Sequence, residues 1–161
     1  MPLTVVLTEN ALRERDVANI LALHEQAAGT RYLLLVPADT DQNSLVEVIN
    51  HLSLFEVRQA WEALTEQESP EQAQAEALES LHLSLERFAQ AGTEASGAVV
   101  ADDPLPALTT AVTEQRAGEI IVVTPPNAVE DTLHRDWASR AREDLTVPVL
   151  HFYSGTDFVG P

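Results

Sequence analysis

Residues 119–152, EIIVVTPPNAVEDTLHRDWASRAREDLTVPVLHF, decide the fold. Ile120-Ile121-Val122-Val123 is an apolar, β-branched run of the kind that forms a strand buried on both faces. Val129, Leu133, Trp137 and Ala141 then recur every fourth residue, the spacing of one helix face. Val147-Pro148-Val149-Leu150-His151-Phe152 closes the stretch as a second strand. Strand, helix, strand within some thirty residues is a parallel crossover unit. Its turn, Thr124-Pro125-Pro126-Asn127, lies where many α/β proteins hold a phosphate.

Working outward, the same alternation recurs. Leu3-Thr4-Val5-Val6-Leu7 reads as a first strand, and residues 11–28 as a helix with Leu12, Asp16, Ile20, Leu23 and Ala27 in phase and Gly29 as its stop. Tyr32-Leu33-Leu34-Leu35-Val36 is a second strand, ended by Pro37. Residues 44–66 are apolar and helical in pattern, with a break expected at Ser53. Ser69-Pro70-Glu71-Gln72 carries an N-cap Ser, Pro at the first position and Gln at the third, so a long helix starts there. Its stripe of Leu78, Leu81, Leu85 and Phe88 is a core face closed by Gly92. Thr93 to Val100 is a third strand, and residues 104–116 a helix with Leu105, Leu108 and Val112 on one side, stopped by Gly118.

Five apolar strands alternating with helices predict an α/β fold: a doubly wound open sheet of five mainly parallel strands, covered by helices on both faces. The 161 residues form one domain over 1–153, with 154–161 as a loose C-terminal tail. Ligands of such sheets lie at the carboxyl ends of the strands, near the point where strand order reverses.

Composition narrows the partners. Twenty-six acidic residues against nine basic ones leave a formal charge of -17, and every basic residue other than His is Arg. That field repels phosphate backbones, so no nucleic acid is expected. Without Cys there is no disulfide, thiolate nucleophile or Cys-based zinc site. MPLTVVLTEN lacks the basic start and apolar core of a secretory leader, and no stretch reaches the roughly 20 apolar residues of a membrane span. A cytoplasmic protein with no membrane association is the expectation. The five His residues form no metal-ligating pair along a helix, and no glycine-based nucleotide or nucleophile motif occurs, so neither a metal nor catalytic residues are assigned.

The second half resembles a known family. An apolar strand running into Ala101-Asp102-Asp103-Pro104 and a short helix is similar to the strand, Gly-Asp-Pro, helix segment of universal stress proteins. Ala117-Gly118-Glu119-Ile120-Ile121-Val122-Val123-Thr124 resembles that family's entry into its fourth strand, and Leu145-Thr146-Val147-Pro148-Val149-Leu150 its closing strand. The motif-level match covers about residues 93–153 and implies a universal-stress-protein (UspA-like) domain, non-catalytic, commonly dimeric through the last strand. The departures imply a divergent member. Nucleotide-binding relatives carry a Gly-x2-Gly-x9-Gly-Ser/Thr loop after strand four; here no Gly stands between Gly118 and Gly155, and Pro125 and Pro126 each lack an N–H. Thr8-Glu9-Asn10 stands where an Asp is usual, and Asp102 replaces the Gly of Gly-Asp-Pro. ATP or AMP in the usual geometry is not expected, although either fits an altered crevice around Thr8, Val36, Asp103 and Thr124.

Two groups remain as candidate ligand-binding residues, and one segment as a candidate partner face. Thr124 and Asn127 border a helix N-terminus, which holds a small anion or is simply capped by Asn127. Glu9, Asn10, Asp39, Asp41, Asp102 and Asp103 all follow strand ends; they form an acidic crevice or ordinary polar loop ends. The 44–66 segment, with Phe55, Trp61 and Leu64, covers its own sheet or a homodimer face; the closing strand is a second homodimer candidate, because an unpaired edge invites another chain. Function then divides into a dimeric stress-response or regulatory module with weak or no ATP binding, an adenine-nucleotide or small-anion binding protein, and an enzyme of unknown reaction.

Overall fold

The computed structural model describes residues 2–25, 29–38, 53–65, 72–101, 103–125, 135–156 and 159–160. In chain order these form β1 (Leu3–Thr8), α1 (Glu14–Ala22), β2 (Arg31–Pro37), α2 (Leu54–Thr65), α3 (Gln72–Gln90), β3 (Ala95–Val100), α4 (Leu105–Thr113), β4 (Glu119–Thr124), α5 (Arg135–Asp144), β5 (Val149–Tyr153) and β6 (Val159–Gly160). The strands make one sheet in the order β3-β2-β1-β4-β5-β6. β1 to β5 are parallel, as expected, and β6 adds an antiparallel edge.

Alternation along each strand divides the core into two layers. Val6, Leu34, Val36, Ile121 and Val123 meet Val17 and Ile20 of α1, Val57 of α2 and the α3 stripe Leu78, Leu81, Leu85 and Phe88. Val5, Leu7, Leu33, Leu35, Ile120 and Val122 meet α4 and α5 through Ala107, Leu108, Ala111, Ala138 and Ala141. Both sides being covered explains why β1, β2 and β4 read as continuous apolar runs. β3 carries Ala95-Ser96-Gly97 instead, and Gly97 is needed there. A Cβ at that position would fall on Leu81 Cδ1 and within 2.9 Å of the Leu34 carbonyl oxygen.

Three local expectations are corrected, and one is met. The first helix is shorter than 11–28: Leu12 is buried ahead of it, and Leu23, placed in the apolar stripe, is 47% exposed beyond its end. Gly118 is not the turn after α4; Arg116 takes the left-handed backbone there, with φ 58°. The break expected at Ser53 is present as the start of α2, where Ser53 Oγ accepts the Glu56 N–H at 3.3 Å. The stretch after Tyr153 is not loose: Ser154 and Gly155 are bonded to α1, and β6 pairs with β5. The N-cap expected at 69–71, the first half of the 44–66 segment and residues 128–134 lie outside the described residues.

Candidate functional site

β1 leads to β2 on one side of the sheet and β4 to β5 on the other, so the strand order reverses between β1 and β4. Thr8 stands opposite Val123 at that point. The carboxyl ends of β1 and β4 are therefore the place where a crevice is expected.

The two threonines described there are engaged with the chain itself. Thr8 is buried, and its hydroxyl donates to the Asn10 carbonyl at 2.7 Å. Thr124 is 1% exposed; its hydroxyl lies 2.7 Å from His151 Nε2, and its carbonyl accepts the Ser154 N–H at 2.8 Å. The next residue is Pro125, which has no N–H to offer. Val36 is fully buried among the α3-side core residues, so its side chain has no exposed surface at the crevice. Asp103 is exposed: Oδ1 accepts the Leu105 N–H at 3.1 Å and Oδ2 the Arg140 guanidinium at 3.3 Å. It works as a helix cap tied to α5. Glu9 is half-buried and Asn10 exposed in the turn after β1. Asp39, Asp41, Asp102 and Asn127 lie outside the described residues, so the structure brings together Thr8, Glu9, Asn10 and Thr124 of the predicted set. Among the described residues no cluster of three or more His, Asp or Glu could hold a metal ion. No helix there is long and apolar enough to cross a membrane.

Two constellations escaped the sequence reading. Asp16, at the third position of α1, is in phase with the core-facing residues of that helix. It is 4% exposed and its carboxylate accepts the Arg13 N–H at 2.9 Å, the Ser154 hydroxyl at 2.7 Å and the Gly155 N–H at 2.7 Å. Charge-assisted bonds of this kind offset the cost of burying a carboxylate. An acidic residue three positions after a helix start was the available signal, but its distant partners were not.

The second lies at the opposite pole, at the amino ends of the strands. His24 Nδ1 is 2.8 Å from the Tyr32 hydroxyl and Nε2 is 2.7 Å from Glu119 Oε2, which also receives the Thr4 hydroxyl at 3.4 Å. An imidazole donating from Nε2 to Glu119 accepts the Tyr32 proton on Nδ1. Burial raises the Tyr32 pKa, and the Glu119 charge raises it further, so the hydroxyl is a poorer acid than usual. Beside it, a cleft of about 690 Å³ is lined by Tyr32, Leu54, Phe55, Leu85, Ala89 and Ala95, with Arg31 and Glu94. None of the predicted ligand-binding residues that the structure describes borders it.

No family model matches the sequence, and no curated protein matches it. In three dimensions the chain is similar to a universal stress protein family protein of Arabidopsis thaliana, solved with AMP bound. The TM-score is 0.57 at 14% identity, over 97% of this chain and 94% of that one. The reversed strand order, the two helical layers and this full-length match establish that the chain has the fold of a universal stress protein.

Proposed function

We propose that the protein is a non-catalytic, universal-stress-protein-type module of the cytoplasm, acting in stress response or regulation by association, with weak or no binding of adenine nucleotide. The observation that carries the reading is the commitment of the crevice groups. A phosphate needs free N–H and O–H donors at the end of β4. The Thr124 hydroxyl is held by His151, the Thr8 hydroxyl by Asn10, and position 125 has no N–H. Self-association through the closing strand, or through α2 with its 65%-exposed Phe55, belongs to the same reading. Val57 and Trp61 of that helix pack on the domain's own core, which leaves only its outer side for a partner.

A second reading has support from the AMP in the structural neighbour: an altered crevice around Thr8, Asp103 and Thr124 that keeps AMP or another small anion. One experiment separates the two. The protein is purified without added ligand and denatured, released nucleotides are identified by mass spectrometry, and thermal melts are recorded with ATP, ADP and AMP, with and without magnesium. A ligand present at 100 times its dissociation constant stabilises by about 2.7 kcal/mol. The first reading expects no released nucleotide and no shift. Co-purified AMP or a clear rise in Tm overturns it in favour of the second.

A further inference from the structure

The cleft beside Tyr32 lies at the amino ends of β2 and β3, the pole away from Thr8 and Thr124. Small residues keep it open: Ala89 and Gly92 around the end of α3, Ala95 and Ser96 at the start of β3. Leu54 and Phe55 of α2 and Leu85 of α3 give it an apolar wall. Phe55 leaves most of its ring in water there. A second cleft of about 550 Å³ adjoins the first and shares Arg31, Tyr32, Thr93 and Glu94 with it.

The donors on this rim differ from those of the carboxyl-end crevice, where both threonine hydroxyls are bonded within the chain. Here the Arg31 guanidinium and the Thr93 and Ser96 hydroxyls have no hydrogen-bond or ion-pair partner among the described residues. The Ser53 hydroxyl, by contrast, is taken up by Glu56. A guanidinium is weakly hydrated and its planar fork matches a carboxylate. Glu94, exposed on the same rim, and the formal charge of -17 limit what anion can approach. Each added negative charge works against that field, so a single carboxylate fits and a doubly charged phosphate does not. A cleft of about 690 Å³ with an apolar wall and a few polar groups has the size and make-up of a small-molecule site.

We propose that this amino-pole cleft binds an arylalkanoic acid, a monocarboxylate with an aromatic body. Arg31 and Thr93 hold the carboxylate, and the ring lies against Phe55, Leu54 and Leu85. An aromatic body is favoured over an alkyl chain because ring pairs gain from offset or edge-to-face contact beyond the area they bury. The site is independent of the nucleotide and association readings above, since it uses other residues at the other end of the sheet.

An amide-resolved NMR titration of the full-length chain with phenylbutyrate tests it, with phenylbutanol and phenylbutylamine as matched neutral and cationic probes. Saturable shifts are expected at Thr93, Glu94, Ala95 and Ser96, with the acid binding at least about tenfold more tightly than the alcohol, the worth of one charge-assisted hydrogen bond. Arg31→Gln should weaken the acid by a similar factor and leave the alcohol unchanged. Phe55→Ala should weaken both, and Glu94→Gln should tighten the acid. All three side chains are exposed, so these variants keep the fold, which the amide spectrum verifies. No saturable shift at millimolar acid overturns the proposal, and so do shifts confined to Thr8 and Thr124, which would move the anion to the other pole. An alcohol or amine that binds as tightly as the acid, or an Arg31→Gln chain that keeps the acid's affinity, overturns the recognition of a carboxylate and the proposal with it.

Discussion

Ser84 shows what a single hydroxyl does here when it is fully enclosed. Its Oγ accepts the Leu12 N–H at 2.9 Å and donates to the Ser80 carbonyl at 2.7 Å, with no exposed surface. Ser84→Ala leaves the Leu12 N–H buried without an acceptor, and a loss of about 1–3 kcal/mol is expected, read from the urea midpoint. Thr109 and Thr113 of α4 make the same type of bond to the carbonyl four residues back, but at the surface. Their Ala variants should stay within about 0.5 kcal/mol of the parent. Tyr32 supplies a pH dependence. Its pKa is raised above 10.0 in the fold by burial and by Glu119, so the unfolded chain gives up this proton first as pH rises. The contribution is complete below about pH 10 and is lost above it, until the folded hydroxyl also ionises. Tyr32→Phe should flatten that alkaline slope, measured as denaturation midpoints between about pH 9 and about pH 11.

Among the elements, α3 bears most directly on stability, because Leu78, Leu81, Leu85 and Phe88 pack on β2 and β3. Phe88 is fully buried and stacks at a tilt on Tyr32, with centroids 5.2 Å apart. Phe88→Ala should cost about 3–5 kcal/mol by cavity formation. Gly97→Val probes the same contact from the strand side by overpacking, at about 1–3 kcal/mol. Chemical denaturation of both variants checks the order of the two effects. This helix was legible in advance, since its stripe holds the 3.6-residue period for three turns. β6 was not: two residues carry no period, and their pairing depends on where β5 ends in space.

For the whole molecule, charge is the dominant feature. A formal charge of -17 on 161 residues makes the compact state repel itself, and salt screens that repulsion. Raising NaCl from about 0.02 M to about 0.5 M should raise Tm, as the screening length falls from tens of ångströms to a few. A Tm that stays constant or falls would show that the charges are already spaced too widely to matter. The same repulsion acts between two copies, so any pairing through β5 is expected to strengthen with salt.

The amino-acid sequence by itself determined the strands, most of the helices and their alternation. A strand buried on both faces must be a continuous apolar run, and a covering helix must carry an apolar stripe; both requirements are local, and the chain meets them at β1, β2, β4 and α3. The loss of glycines after β4 was equally readable, since a bare backbone is a property of composition. Only the tertiary structure decided what the polar groups do. Asp16 meets Ser154 across 138 positions, His24 meets Glu119 across 95, and Thr124 meets His151 across 27. Those meetings follow from the strand order 3-2-1-4-5-6, which sets β1 beside β4 in the middle of the sheet and so brings distant parts of the chain together. A hydrogen bond acts over about 3 Å, and no local pattern records which residues the fold will bring that close.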